Sequence, residues 1–362
     1  MNTLVLTPEV FATEGGISRI LRLYIRALAE DLSGDAKLEI VALKDQSADT
    51  KRITELTASH PIRIRGYNNH KLRFSFGALL AGARSDCILC GHLHQLVLAW
   101  AAKLIKPSLS YYLVAHGIEV WRPYSWAERI ALRGAEKILC VSEYTRRQML
   151  RFEPRLDPKR LVVLPNTFDP RFKSTANSPQ GSFLARKHPR ILVVSRLTAG
   201  DPYKGVDTMI EAMPRILGRN HAAQLRIVGD GTDRARLEAI ASDRHLGDAV
   251  QFCGLVDDNT LGAEYESCDI FALPSRKEGF GLVYLEAMSY GKPCIAARSG
   301  GAPEVVNDQV GALVDYANTE QIAVAVADLV RRPRDTGKIL AQAKDFSFKT
   351  FQARLTEHLR RG

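Results

Sequence analysis

Short apolar runs alternate with amphipathic helical stretches twice along this chain, once on each side of a segment that carries neither. That alternation restricts the fold more than any other feature. Strands separated by helices pair in parallel, and a parallel sheet needs helices on both faces. In the first half, strands are expected at Leu4–Leu6, Leu38–Leu43, Cys87–Cys90, Ser110–Val114, Lys137–Val141 and Arg160–Leu164. The first helix is the clearest: Ile17, Ile20, Leu21, Tyr24, Ile25 and Leu28 fall on one side, and Arg19, Arg22 and Arg26 on the other. Residues 165–189 are rich in Pro, Ser and Asn without periodicity, which is the pattern of a domain linker. The second half then restarts. Strands are expected at Arg190–Val194, Gln224–Val228, Val250–Cys253, Ile270–Leu273 and Cys294–Ala297, and helices at Gly205–Leu217 and Asp233–Ser242. A final helix is expected at Thr350–Arg361. The simplest architecture is α/β: two doubly wound domains facing a cleft, with ligands beyond the carboxyl ends of the strands.

A length of 362 residues suits two cores rather than one. The most apolar region, Phe76 to Ile105, is interrupted by Arg84, Asp86, His92, His94 and Lys103, so it is not a membrane span. The opening residues lack a basic region and a small-residue cleavage site, so the expected compartment is the cytoplasm. Six cysteines, mostly in apolar runs, read as buried thiols rather than a disulfide framework. Cys87, Cys90, His92 and His94 are close in sequence. They lie on a strand running into a loop, where alternate residues diverge, and a metal site is not expected.

The net charge of +10 is uneven: residues 1–175 hold 26 Lys+Arg against 17 Asp+Glu, and residues 176–362 hold 24 against 23. The basic excess gathers in Glu119–Arg160. It fits attraction to anionic lipid or a phosphorylated acceptor, contact with nucleic acid, or a solvated face.

The segment carrying most chemistry is PSRKEGFGLVYLEAMSYGKPCIAARSGG, from Pro274 to Gly301. A strand leads into Glu278, Gly279, Phe280 and Gly281, and a helix follows that Gly291 and Pro293 stop. Glycines before a helix let backbone N–H groups approach a phosphate, whose charge the helix N-terminus favours. Glu286 lies five residues in, roughly 7 Å along the helix axis. A carboxylate there can accept hydrogen bonds from both hydroxyls of a ribose. Glu278 stands on the far side of the phosphate. By spacing alone, a plain strand–turn–helix corner with solvated carboxylates explains the segment equally well.

The Glu278–Glu286 spacing resembles the Glu-x7-Glu motif of the retaining GT-B glycosyltransferases, glycosyltransferase family 4 in particular. Further matches follow in order: Gly15-Gly16, AHGIEVW at 115–121, CVSEYT at 140–145, LPN at 164–166, SRL at 195–197, YKG at 203–205, VGDG at 228–231 and GGAPEVV at 300–306. The family implies two Rossmann-like domains facing a central cleft, with the C-terminal helix returning to the N-terminal domain. Its boundaries would be 1–168 with the tail 346–362 for the acceptor side, and 169–345 for nucleotide-sugar binding.

The resemblance also implies roles. Arg196 and Lys204 match the basic pair on the donor diphosphate, and Gly279, Phe280, Gly281 and Leu282 match the cradle for phosphate and sugar. Glu278 matches the carboxylate that orients the transferred sugar, Glu286 the ribose ligand, and His116 the histidine near the reacting centre. Gly15 and Gly16 match the loop approaching diphosphate or acceptor. No metal and no cofactor is implied, and no Asp-x-Asp pair is present. Thr167 stands where the family carries glycine after Asn166, so Asn166 is left out of the site.

The implied activity is retaining transfer of a hexose from a nucleotide-sugar to a saccharide or polyprenyl-diphosphate-linked saccharide in bacterial polysaccharide synthesis. GDP-mannose is favoured over UDP-hexoses, and nucleic acid is not among the expected partners. The protein would be cytoplasmic, with attachment to the inner face of an anionic membrane as an extension. The rivals are an epimerase or phosphorylase of the same fold and a non-catalytic nucleotide-sugar sensor. A nicotinamide dehydrogenase is disfavoured, since no G-x-G-x-x-G turn follows the first strand.

Overall fold

The structure, a computed structural model, describes residues 2–46, 52, 62–172 and 189–360. The chain divides into two compact units: Met1–Thr167 with Phe348–Gly362, and Phe168–Ser347.

The first unit holds seven parallel strands: β1 (Thr3–Thr7), β2 (Leu38–Ala42), β3 (Arg63–Gly66), β4 (Cys87–Cys90), β5 (Ser110–Ala115), β6 (Lys137–Cys140) and β7 (Leu161–Val163). Their spatial order is β3-β2-β1-β4-β5-β6-β7. Every residue of β1 and β4 is buried, so these central strands read as unbroken apolar runs rather than alternating ones. One face is covered by the helices Lys71–Arg84, Leu93–Ile105 and Trp126–Gly134, whose Phe74, Ala78, Leu96, Ala99, Ala131 and Leu132 join one core with Leu6, Ile88 and Leu113. The helix Gly16–Glu30 packs against the C-terminal helix Phe348–Arg360, where the Phe351 ring meets Tyr24 edge-on at 4.8 Å. Arg26 lies over the Phe348 ring at 4.8 Å.

The second unit holds β8 (Arg190–Val194), β9 (Gln224–Val228), β10 (Val250–Gly254), β11 (Ile270–Leu273), β12 (Cys294–Ala297) and β13 (Gly311–Val314), ordered β10-β9-β8-β11-β12-β13 and paired in parallel. In both sheets the strand order reverses once, between β1 and β4 and between β8 and β11. Such reversals open a crevice at the carboxyl ends of the strands.

Two strands escape the sequence reading, and both are edges. β3 is RIRG, four residues with two arginines and one apolar side chain, too short and polar to stand out as a strand, as an edge strand can be. β13 opens on Gly311, whose added Cβ would lie 1.9 Å from the Cys294 carbonyl oxygen. Of the expected linker, residues 165–172 form no helix or strand, and 173–188 lie outside the described residues. Among the described residues, no helix is long and apolar enough to cross a membrane.

Candidate functional site

In the second unit, the loops after β8 and β11 leave the sheet at its reversal point and meet. The β8 loop passes Ser195 and Arg196 and forms a short turn, Pro202–Lys204, before the helix Val206–Arg219. Gly205 joins turn to helix at φ +73°, and a Cβ there would come 2.7 Å from the Pro274 carbonyl oxygen. Glycine thus permits both the left-handed turn and the close approach of the β11 loop. The two loops are stitched by Arg276 N donating to Tyr203 O at 2.8 Å and by Ser275 Oγ donating to the same carbonyl at 3.2 Å. Across this seam Lys204 Nζ lies 2.9 Å from Glu278 Oε2, with the side chains only 22% and 13% exposed. The pair joins a lysine and a carboxylate from two separate loops, partly shielded from solvent.

The backbone of Glu278 is held from behind. Gly301 N donates to Glu278 O at 2.7 Å. Gly300 has φ +64°, and its Cβ would lie 2.3 Å from that same oxygen. The loop after β12 therefore needs glycine to press against Glu278. Gly281, at φ +96°, opens the helix Leu282–Ser289 with no side-chain cap, and no acidic residue occupies the first turn. The first N–H groups of that helix are open to an anion beside Gly279 and Gly281. Phe280 points the other way: it is buried against Phe346, with ring centroids 5.5 Å apart, so it anchors the turn and offers only its backbone to a ligand.

Glu286, the fifth residue of this helix, is buried, and its Oε2 accepts a 2.7 Å hydrogen bond from the Tyr265 hydroxyl. Tyr265 belongs to the helix Asp258–Ser267, is fully buried, and stacks on Tyr290 at 5.9 Å. Sequence reasoning missed Tyr265, because a tyrosine four residues after Leu261 reads as a packing residue of its helix. Arg196 is exposed and does not touch Glu278; it pairs with Asp201 at 3.0 Å, which also accepts from the Tyr203 hydroxyl at 2.8 Å.

The remaining residues named from sequence belong to the first unit. His116 directly follows β5 and is buried. Its Nε2 lies 2.9 Å from the Gly91 carbonyl oxygen. A carbonyl can only accept, so the proton sits on Nε2 and Nδ1 is a bare acceptor. Nδ1 is buried and, among the described residues, meets no partner. Burial pushes the imidazole pKa down to about 4, against the smaller opposing effect of the Gly91 carbonyl, so the ring is neutral near neutral pH. The His116 N–H itself donates to Glu119 Oε1 at 2.5 Å. Gly15 caps the helix Gly16–Glu30 without a side-chain bond, and a Cβ on Gly15 or Gly16 would enter open space. Neither has positive φ, so packing inside the chain does not require glycine at either position.

Two known families match the chain one after the other. The one described as Glycosyltransferase Family 4 matches residues 14–172, and the one described as Glycosyl transferases group 1 matches residues 175–346. A GDP-mannose-dependent alpha-(1-6)-phosphatidylinositol monomannoside mannosyltransferase of Mycolicibacterium smegmatis is 33% identical over 67% of this chain and 68% of its own length. The enzyme of the same name from Mycobacterium tuberculosis is 35% identical over 59% of each chain, so this chain spans under two thirds of that relative. Anabaena HepE, solved with UDP and glucose, superposes over the whole of both chains with a TM-score of 0.79 at 20% identity, a likeness of fold.

Proposed function

This chain belongs to glycosyltransferase family 4 and has the GT-B fold, and on that premise we propose that it transfers a hexose, with mannose from GDP-mannose favoured, to a saccharide or lipid-linked saccharide acceptor in bacterial polysaccharide assembly. The observation that carries the reading is the Lys204–Glu278 pair at the reversal of the second sheet, beside the uncapped N-terminus of the helix Leu282–Ser289. The named activities of the two mannosyltransferase relatives support mannose and GDP.

In this reading the diphosphate lies against the amides of Gly279–Leu282, with Lys204 and Arg196 offsetting its charge. Two cations then supply what a divalent ion supplies in other transferases, and chelators leave turnover unchanged. Arg196 must exchange its Asp201 partner for the diphosphate, a small cost for an exposed pair. Glu278 accepts from hydroxyls of the transferred sugar, and Glu286 accepts from the ribose. His116 accepts a sugar hydroxyl at Nδ1, which its orphaned, unprotonated state favours. Gly15 and Gly16 leave the N-terminus of the helix Gly16–Glu30 uncovered for the diphosphate or the acceptor.

Transfer proceeds with retention by front-side attack. The acceptor oxygen bonds to the anomeric carbon as the bond from that carbon to the phosphate oxygen breaks. The acceptor's proton passes to the departing phosphate oxygen, and the nucleoside diphosphate leaves. The residues do their work by stabilising charge on that leaving group more in the transition state than in the ground state.

The test is incorporation of label from GDP-[14C]mannose into a bacterial lipid and saccharide extract, with Lys204→Ala as control. Label transferred by the wild type and lost in the variant supports the proposal. Transfer from UDP-glucose alone would move the donor to the UDP-hexoses, and phosphate-dependent release without an acceptor would replace the reading with a phosphorylase.

A further inference from the structure

The helices Lys71–Arg84, Leu93–Ile105 and Trp126–Gly134 lie side by side on one face of the first sheet, each packed on the next. Their inner sides are committed to the core, so what remains faces away from the sheet. That outer side is not polar. Leu72 is 88% exposed, Phe76 67% and Trp126 72%, and Leu80 and Ile130 are exposed as well. Leu72, Phe76 and Leu80 recur every fourth residue and form one stripe, and Trp126 and Ile130 repeat that spacing on the third helix. The middle helix between them carries only His94, Gln95 and Lys103 as polar side chains. A cluster of this kind on a water-facing helix layer marks an interaction surface.

Charge selects the partner. Lys71 and Arg73 flank Leu72, and among the described residues neither meets a carboxylate. The first two helices contain no acidic residue. The only one in the third, Glu128, is buried and bound to Arg122, while exposed Arg129 and Arg133 share one carboxylate, the buried Glu153, at 3.3 and 3.0 Å. Aromatic and aliphatic side chains beside the unopposed Lys71 and Arg73, and beside an arginine pair that one carboxylate only half neutralises, fit the boundary of an anionic bilayer, where the apolar groups enter and the cations meet headgroups. A helix following a parallel strand starts at that strand's carboxyl end, so Leu72 and Trp126 stand near the end of the sheet where His116 lies.

We propose that this three-helix face docks the protein on anionic membrane, bringing the first unit to a lipid-borne acceptor. The inference rests on the transferase reading only for its purpose, because vesicle binding is measured without turnover.

The experiment is sedimentation of the full chain with vesicles of phosphatidylcholine alone or mixed equally with phosphatidylglycerol. GDP binding by calorimetry, read in parallel, reports the nucleotide site. The wild type is expected to sediment with the anionic vesicles and to be released by salt. Lys71→Ser with Arg73→Ser lowers the partition roughly thirtyfold, at about 1 kcal/mol for each cation. Phe76→Ser with Trp126→Ser lowers it more than tenfold, and GDP binding is unchanged in both variants. Equal sedimentation of wild type and both double variants, or none of the wild type, overturns the docking face and leaves the transferase reading intact. Elution of the wild type as a dimer that Phe76→Ser/Trp126→Ser converts to monomer also overturns it and assigns the face to a second copy. Loss of GDP binding in the wild type would instead strike the nucleotide site.

Discussion

Replacing Tyr265 by Phe removes one oxygen and leaves a ring that can keep its stacking on Tyr290, its edge contact with Phe172 and its tilted contact with Phe271. What disappears is the 2.7 Å hydrogen bond to Glu286 Oε2, between two buried groups. Hydrogen bonds to charged groups contribute about 1.5–3 kcal/mol. If that bond fixes the carboxylate for the ribose, the loss appears in donor affinity as roughly a ten- to hundredfold rise in Kd. Because the interaction is made equally in ground and transition states, KM for the donor rises while kcat stays within a few-fold. The assay is calorimetry with GDP and 2′,3′-dideoxy-GDP on both proteins. The wild type should prefer the intact ribose, and Tyr265→Phe should shrink that preference. A purely structural tyrosine would lower the melting temperature and leave the preference unchanged, and that pair of results would refute the reasoning.

Lys204→Ala should lower kcat by about two to three orders of magnitude, the usual cost of one charge-stabilising group, with circular dichroism unchanged. Near-normal turnover would remove Lys204 from the mechanism. Gly300→Ala places a Cβ 2.3 Å from the Glu278 oxygen at a left-handed position, so it should destabilise the second unit by roughly 1–3 kcal/mol and depress transfer together, as urea unfolding and initial rates would report. His116 titrates near 4 when folded and near 6.5 when unfolded. Its contribution to stability is therefore complete above about pH 6.5 and is lost as pH falls toward 4, because the unfolded chain binds the proton first. Burial of His92, also near 4, acts in the same direction. His116→Gln should flatten the fall in unfolding free energy across that window, and an unchanged slope would argue against a buried neutral ring.

The sheets were legible where strands are central. β4, β8, β9, β11 and β12 match their expected bounds: β4, β11 and β12 are apolar and buried throughout, and β8 and β9 keep an apolar majority that marks them as strands. β3 and β13 were not, because an edge strand can carry Arg63 and Arg65 or begin on glycine without exposing a gap in the core. Within the site, the glycine turn and its helix were readable, since Gly281 and the stop at Gly291 are local signals. The Lys204–Glu278 contact spans 74 positions and depends on Gly205 and Gly300 letting loops approach, which no spacing rule encodes. Tyr265 was invisible for the same reason: its partner is set by the packing of one helix on another.

The central claim is that the loops after β8 and β11 hold a nucleotide-sugar. Calorimetric titration of GDP-mannose into the wild type and into Glu286→Gln tests it most directly. Saturable one-to-one binding by the wild type, weakened at least tenfold in the variant, is the predicted result. Absence of binding to any GDP- or UDP-sugar, or equal affinity in both proteins, would contradict it.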